Sequence, residues 1–103
     1  MAKQSLRKIE KKIQELKCRL VELGDMRPGT LSVQYRDPRE KKKPFHQISY
    51  THKGKGRSEY VRAENLETVR DEIATYKMFK SITEEIIDLS MNASRIRCTN
   101  HKS

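Results

Sequence analysis

The sequence has 103 residues, of which 34% are hydrophobic and 36% are charged, and it contains no Trp. A chain of this length and composition forms one domain with a small core, and such chains often complete their burial by oligomerising. The net charge of +9 favours polyanionic partners, nucleic acid first, and no apolar run suits a membrane span or a secretory signal, which predicts a cytoplasmic protein.

The first predicted element is a helix over about residues 4–23. In the stretch SLRKIEKKIQELKCRLVELG, apolar residues recur in alternating steps of three and four, as at the a and d positions of a heptad repeat. Gly24 suits the left-handed conformation that often ends a helix. We name these apolar positions the seam of the helix: Leu6, Ile9, Ile13, Leu16, Leu20 and Leu23.

Three short strands are predicted between about residues 30 and 62, after a Pro28–Gly29 pair that suits the centre of a type II turn. The stretches TLSVQYR and FHQISYTH alternate apolar and polar residues, and RSEYVR follows a KGKG turn. In the first of them, Leu31, Val33 and Tyr35 share one face. The pattern predicts an antiparallel β-meander with one face covered and the other exposed to solvent.

A second, longer helix is predicted over about residues 63–97, followed by a short tail over 98–103. It has one apolar run from Leu66 to Tyr76 and another from Phe79, and the step of three between them breaks the heptad. This change of phase predicts that the first part of the helix covers the sheet and the second part pairs with the first helix. The seam of the second part comprises Phe79, Ile82, Ile86, Leu89, Ala93 and Ile96.

The two seams match when the helices run antiparallel. With Leu23 opposite Phe79, every seam residue of the first helix meets one of the second, down to Leu6 opposite Ile96. The predicted fold class is therefore α+β, as a single domain over residues 1–103. It is a long, coiled-coil-like antiparallel helical hairpin with the three-stranded antiparallel β-meander inserted between its helices.

Some apolar residues lie off the seams, and they predict a partner. A helical hairpin that is apolar on more than one face usually buries the additional face against another molecule. We expect a homodimer, although isolated exposed apolar residues are also common on protein surfaces. The predicted dimer or partner interface comprises Cys18, Val21, Ile87 and Met91.

The positive charge is concentrated in the predicted sheet and its turns. Residues 36–62 contain nine Lys or Arg against three Asp or Glu, whereas residues 63–97 contain five against seven. Lysine and arginine bind phosphate, and glycine in a turn lets the backbone approach it, although a basic glycine-rich turn is also an ordinary solvated turn. The predicted nucleic-acid-binding residues are Arg36, Arg39, Lys41, Lys42, Lys43, His52, Lys53, Lys55, Arg57 and Arg62.

The sequence contains no convincing catalytic constellation. Its three histidines lack the spacing of metal ligands, and no serine lies in a nucleophile elbow. The stretch GKGRS resembles part of a phosphate-binding loop, but the spacing differs and no helix follows it directly. We therefore expect a protein that is not an enzyme and that needs no metal or other cofactor.

Two stretches, RPGTLSVQYR and SYTHKGKGRSEYV, are followed by a long charged helix. Over roughly residues 26–90 the chain resembles a small uncharacterised domain family of bacteria and archaea, whose members carry a cysteine-rich knuckle between the first two strands. The resemblance implies a role with nucleic acid near mobile elements, and no established activity. This chain has no cysteine in DPREKKKPFHQ, so no metal site is carried over from the family.

Two functions fit these patterns. The first is a non-catalytic, dimeric nucleic-acid-binding protein that contacts the phosphate backbone through its sheet and turns, with weak sequence specificity. The alternative is a protein-interaction module that docks on a larger nucleoprotein complex, such as a transposase or a CRISPR-type effector, as an accessory factor or an inhibitor. Binding to labelled nucleic acid at two salt concentrations distinguishes the two hypotheses.

Overall fold

A computed structural model of the chain describes the backbone of residues 2–101 and the side chains of residues 5–99. A first helix is followed by three strands, a short 3₁₀ helix and a long second helix. The two helices and the antiparallel sheet confirm the predicted α+β class. The bounds are Ala2–Glu22 for α1, Thr30–Asp37 for β1, Lys42–His52 for β2, Lys55–Val61 for β3, Ala63–Asn65 for the 3₁₀ helix and Leu66–His101 for α2.

The chain forms two compact units, which are described separately. The helical unit comprises Met1–Leu23 and Met78–Ser103, and the sheet unit comprises Gly24–Lys77. Helix α2 contributes to both units, and the boundary lies between the two apolar runs where the sequence pattern changes phase. Within residues 2–101, neither helix is long and apolar enough to cross a membrane.

The sheet is a meander in the order β1-β2-β3, with antiparallel pairing throughout. Leu31 of β1 lies opposite Ile48 of β2, and Ile48 lies opposite Glu59 of β3. Side chains that face each other across paired strands lie on the same side of the sheet, so this register decides which residues share a face.

The core of the sheet unit forms where one face of the sheet meets the first part of α2. Ile48 is completely buried and packs with Val61, Val69 and Ile73. Leu31 and Leu66 lie at the margin of this cluster. We name this side of the sheet the covered face and the other side the open face. The packing agrees with the prediction that the first apolar run of the long helix covers the sheet.

Two details of β1 and of the segment before it differ from the expectation. Val33 shares a face with Leu31, but it is 47% exposed because β1 is an edge strand and Val33 lies outside the core cluster. Gly29 has a φ of 144°, whereas the corresponding position of a type II turn has a φ near +80°. The Pro28–Gly29 pair therefore does not form the predicted type II turn.

The helical unit buries four of the twelve seam residues and leaves the other eight half-buried. Ile13 and Leu16 of α1 and Ile82 and Ala93 of α2 are buried, and all four are seam positions. The guanidinium of Arg97 donates a hydrogen bond to the carboxylate of Glu10 at 2.9 Å, which links α2 to α1. Local periodicity thus identified the apolar stripe on each helix.

Candidate nucleic-acid interface

The basic residues of the sheet unit form two groups at opposite ends of the meander. Each group surrounds one of the two turns, because consecutive turns of a meander lie at opposite ends of its strands. All ten predicted residues are exposed. At the end of the β1–β2 turn lie Arg36, Arg39, Lys41, Lys42, Lys43 and Arg62, and at the end of the β2–β3 turn lie His52, Lys53, Lys55 and Arg57.

The β2–β3 turn consists of two residues, Lys53 and Gly54, between the paired residues His52 and Lys55. Lys53 has a φ of 52° and Gly54 a φ of 78°. Positive φ at both central positions is typical of the type I′ turn, whose twist matches that of the strands and whose first position favours Asn. Lysine therefore occupies a backbone conformation that costs about 1–2 kcal/mol for an ordinary residue.

The β1–β2 connection also places lysines in the left-handed region. Lys41 ends the connection with a φ of 54°, and Lys43 has a φ of 55°. Between them, Lys42 forms an ion pair with Glu40 at 2.8 Å. Within the described residues, the only non-glycine residues with positive φ are therefore three lysines, all in the basic turns or beside them.

Few of these positive charges are neutralised by carboxylates of the chain. Among the ten described side chains, only Lys42 and Arg62 have an acidic partner, and Arg62 pairs with Glu64 at 3.6 Å. All four groups in these two pairs are well exposed, so each pair is weak. The remaining side chains are available to an external anion.

The register separates the basic residues between the two faces of the sheet. Arg57 pairs with Tyr50, and Tyr50 lies two residues from Ile48 on β2, so Arg57 belongs to the covered face. It lies near the β2–β3 turn, at an end of that face where its side chain is exposed. Arg36 has the opposite parity from Leu31 and belongs to the open face. The structure therefore brings the ten residues to the two ends of the sheet and does not gather them on one face.

The open face is formed by alternate residues of the three strands. Its side chains are small or polar except for two aromatic rings, and no carboxylate occurs among the strand residues that form it. Ser49 and Ser58 hydrogen-bond across β2 and β3 at 3.3 Å. The face comprises Thr30, Ser32, Gln34 and Arg36 of β1, Phe45, Gln47, Ser49 and Thr51 of β2, and Gly56, Ser58 and Tyr60 of β3.

Sequence reasoning missed the aromatic pair on this face. The rings of Phe45 and Tyr60 have centroids 6.3 Å apart and are inclined at 44°, and the guanidinium of Arg36 lies 5.8 Å from the centroid of Phe45. The sequence feature that could have identified this pair was the two-residue turn at Lys53 and Gly54. That turn determines the β2–β3 register and therefore makes Phe45 and Tyr60 diagonal neighbours.

The covered face carries a second cluster that the sequence did not indicate. The Tyr50 hydroxyl donates a hydrogen bond to Glu59, and the guanidinium of Arg27 lies 3.7 Å from the Glu59 carboxylate and 5.5 Å from the Tyr50 ring centroid. The backbone N–H of Arg27 donates to the carbonyl of Glu72 on α2 at 3.2 Å. The hydrogen bond to Glu59 raises the pKa of the Tyr50 phenol above 10.0. This cluster joins the segment before β1 to the sheet and to α2.

The predicted partner-interface residues lie in the helical unit and are all exposed. The exposed fractions are 85% for Val21, 56% for Ile87 and 48% for Met91, and Cys18 is exposed as well. These values agree with their positions outside the seams. These apolar side chains are therefore exposed on both helices, in addition to the basic side chains of the sheet unit.

Comparison with known proteins identifies one family. Residues 6–71 match the family described as a domain of unknown function, DUF6788. The match extends from the first seam residue of α1 through the whole sheet to Asp71 in the first part of α2. No curated protein and no solved structure matches the chain.

Proposed function

The chain belongs to the DUF6788 family, which has no assigned function, and we propose that it is a small, non-catalytic nucleic-acid-binding protein of the cytoplasm. It contacts the phosphate backbone through the two basic ends of its β-meander. Its sequence specificity is low, because lysine and arginine contacts to phosphate carry no direct information about base identity.

The observation that supports this proposal best is the distribution of charge in the sheet unit. Nine Lys or Arg against three Asp or Glu occur in residues 36–62, and the basic side chains are exposed and mostly without acidic partners. Binding of such a surface to nucleic acid releases condensed counterions, which is a favourable term at low salt. Solubility alone would not require lysine at turn positions whose positive φ favours Asn or Gly.

We further propose that the protein acts as a homodimer. The two seams support an antiparallel hairpin of α1 with the second part of α2, and the Glu10–Arg97 bond is consistent with it. In an antiparallel pair, both side chains lean toward the N-terminus of their own helix and thus toward each other. The exposed residues Val21, Ile87 and Met91 would then be buried between two copies, as a second apolar face requires.

Salt-dependent binding tests the main proposal. Anisotropy of labelled duplex and single-stranded oligonucleotides is measured at several salt concentrations, for the wild type and for the triple variant Lys53→Ala, Lys55→Ala, Arg57→Ala. We expect the variant to lose most binding at moderate salt. The slope of log K against log salt should decrease by about one for each phosphate contact removed.

A matched control removes the same charge from α1. The triple variant Lys8→Ala, Lys11→Ala, Lys12→Ala also loses three positive charges, from exposed positions of the helical unit. This control should bind nearly as the wild type does. Equal losses in both triple variants would indicate that net charge alone drives binding, and unchanged binding in the turn variant would contradict the proposed surface.

The second candidate is a protein-interaction role, favoured by the exposed apolar residues of the helical unit. In this hypothesis the off-seam residues Ile87 and Met91 contact a larger nucleoprotein complex of the transposase or CRISPR-effector kind, and the protein activates or inhibits it. Absence of nucleic-acid binding at low salt would favour this function over the first.

A further inference from the structure

The open face of the sheet presents two aromatic rings beside a positively charged edge. We propose that this face is a stacking platform for single-stranded nucleic acid, on which bases lie against Tyr60 and Phe45 while Arg36 and Arg62 bind neighbouring phosphates. The inference rests on the proposed nucleic-acid binding and narrows it, because it names the single strand as the preferred ligand.

The geometry of the two rings leaves ring surface free for a base. Tyr60 is 63% exposed, and Phe45 is half-buried. With centroids 6.3 Å apart and an inclination of 44°, the rings do not lie face to face, so neither covers the other. A base can therefore stack on the exposed Tyr60 ring and touch Phe45 at its edge, as aromatic side chains on single-strand-binding sheets do.

Burial does not account for the position of Tyr60. It follows a strand segment in which every residue from Thr51 to Glu59 is exposed, and its neighbour Val61 points to the core on the other face. Ser58 precedes Tyr60 on the open face of β3, and a small polar side chain suits that position of the sheet. A ligand that packs against the Tyr60 ring would supply the contact surface that the protein itself does not, and this explains why the ring lies mostly in water.

Charge on both sides of the rings identifies the ligand as an anion. Arg36 lies 5.8 Å from the Phe45 ring centroid, and Arg62 follows β3 in an extended conformation with the parity of Tyr60. The strand residues of the open face include no carboxylate, and the carboxylate of Glu64, which pairs with Arg62 at 3.6 Å, is exposed, so a phosphate can replace it as the partner of Arg62. The basic β1–β2 turn lies at the same end and extends the positive surface.

The shape of the site favours a single strand over a duplex. In a duplex the bases are stacked on one another and present only their edges in the grooves, whereas a single strand offers its base faces for stacking. Apart from the two rings and Arg36, the open face carries only Ser, Thr, Gln and Gly, so an extended strand meets few bulky side chains along it.

Three probes of equal length test this inference: a single-stranded oligonucleotide of about 12 nucleotides, an abasic sugar–phosphate chain and a duplex. Their affinities are compared for the wild type, Tyr60→Thr and Tyr60→Phe at one salt concentration. We expect the wild type to bind the single strand more tightly than the abasic chain, by about 5- to 150-fold for one stacked base. The Tyr60→Thr variant should lose most of this preference for the single strand over the abasic chain, and the Tyr60→Phe variant should retain it.

The outcomes separate this inference from the proposed function. If the wild type binds all three probes equally and Tyr60→Thr changes nothing, nucleic-acid binding stands and the stacking platform is overturned. If the wild type binds none of them at low salt, the proposed function itself fails. Threonine replaces Tyr60 because threonine suits a β-strand. Val33→Thr on the covered face is the control, since it places the same residue at another exposed position of the sheet.

A fluorescent reporter gives a second, independent measurement. Since the chain contains no Trp, the variant Tyr60→Trp places a single Trp on the open face, and Val33→Trp places one on the covered face. Single-stranded oligonucleotide should quench the emission of the first and leave that of the second nearly unchanged. Equal quenching in both variants would contradict stacking at Tyr60.

Discussion

Gly29 and Ile48 approach each other so closely that no side chain fits at position 29. A Cβ built on Gly29 would lie 2.6 Å from the Cδ1 and Cγ1 atoms of Ile48, and the φ of Gly29 is 144°. Ile48 is the completely buried centre of the sheet unit. The contact therefore ties the segment before β1 to the core.

We predict that Gly29→Ala destabilises the protein strongly. The substitution combines a backbone conformation that L-residues rarely adopt with overpacking against Ile48, and the expected loss in the free energy of unfolding is roughly 2–4 kcal/mol. Gly56→Ala is the matched control, because a Cβ at Gly56 meets no atom within 4 Å. Chemical denaturation followed by circular dichroism measures both, and equal stabilities would contradict the prediction.

Lys53→Asn should make the protein more stable and the complex with nucleic acid weaker. Asn adopts the left-handed conformation of the type I′ turn more readily than Lys, so we expect a gain of about 0.5–1 kcal/mol in the free energy of unfolding. The loss of a phosphate-binding charge should lower the affinity for nucleic acid. Lys55→Asn removes the same charge from a strand position and should weaken binding without any gain in stability.

Leu16→Ala should destabilise the helical unit, whereas Val21→Ala should not. Leu16 is completely buried, and truncation of such a side chain leaves a cavity that costs about 2–5 kcal/mol. Val21 is 85% exposed, so its truncation should change the stability by less than about 0.5 kcal/mol. Thermal or urea denaturation gives both values, and a large effect in the Val21 variant would indicate that this residue is buried against a partner.

The phenol of Tyr50 should hold its proton above the ordinary tyrosine pKa of 10.0. Its hydrogen bond to Glu59 raises the pKa, although the positive charges of Arg57 and Arg27 oppose the shift. Because the folded pKa lies above the unfolded value, the contribution of this group to stability is complete below pH 10.0 and is lost as the pH rises through the folded pKa.

Phenolate absorbance tests this prediction directly. The difference between the titration curves of the wild type and Tyr50→Phe gives the curve of Tyr50 alone, and its midpoint should lie above 10.0. Glu59→Gln should bring the midpoint down toward the ordinary value, since it removes the charge that accepts the hydrogen bond. A Tyr50 midpoint below 10.0 in the wild type would show that the arginines dominate.

The proposed dimer predicts a change of mass on substitution of the off-seam residues. Ile87→Glu combined with Met91→Glu should convert the dimer to a monomer, because two charges in an apolar interface lose their hydration without gaining partners. The helical circular dichroism should remain, as both residues are exposed in the monomer. Sedimentation equilibrium measures the mass, and Lys80→Glu, at an exposed polar position, is the control.

The sequence by itself determined the elements and the class of this fold. Helices and their apolar stripes follow from local periodicity, and buried positions such as Leu16 and Ile82 were therefore predictable. The meander followed in the same way from short turns between alternating segments, since two-residue and four-residue connections leave neighbouring strands no other pairing. The concentration of positive charge in residues 36–62 follows from a count of the charged residues in the sequence.

Only the tertiary structure decided which of these residues share a surface. A change of one residue in strand register exchanges the two faces, so the assignment of Arg36 to the open face and of Arg57 to the covered face depends on the pairing. The approach of Phe45 to Tyr60 and of Gly29 to Ile48 joins residues that are distant in the chain. Sequence patterns describe neighbours within one element, whereas a site is made by packing between elements, and its geometry becomes definite only in the folded chain.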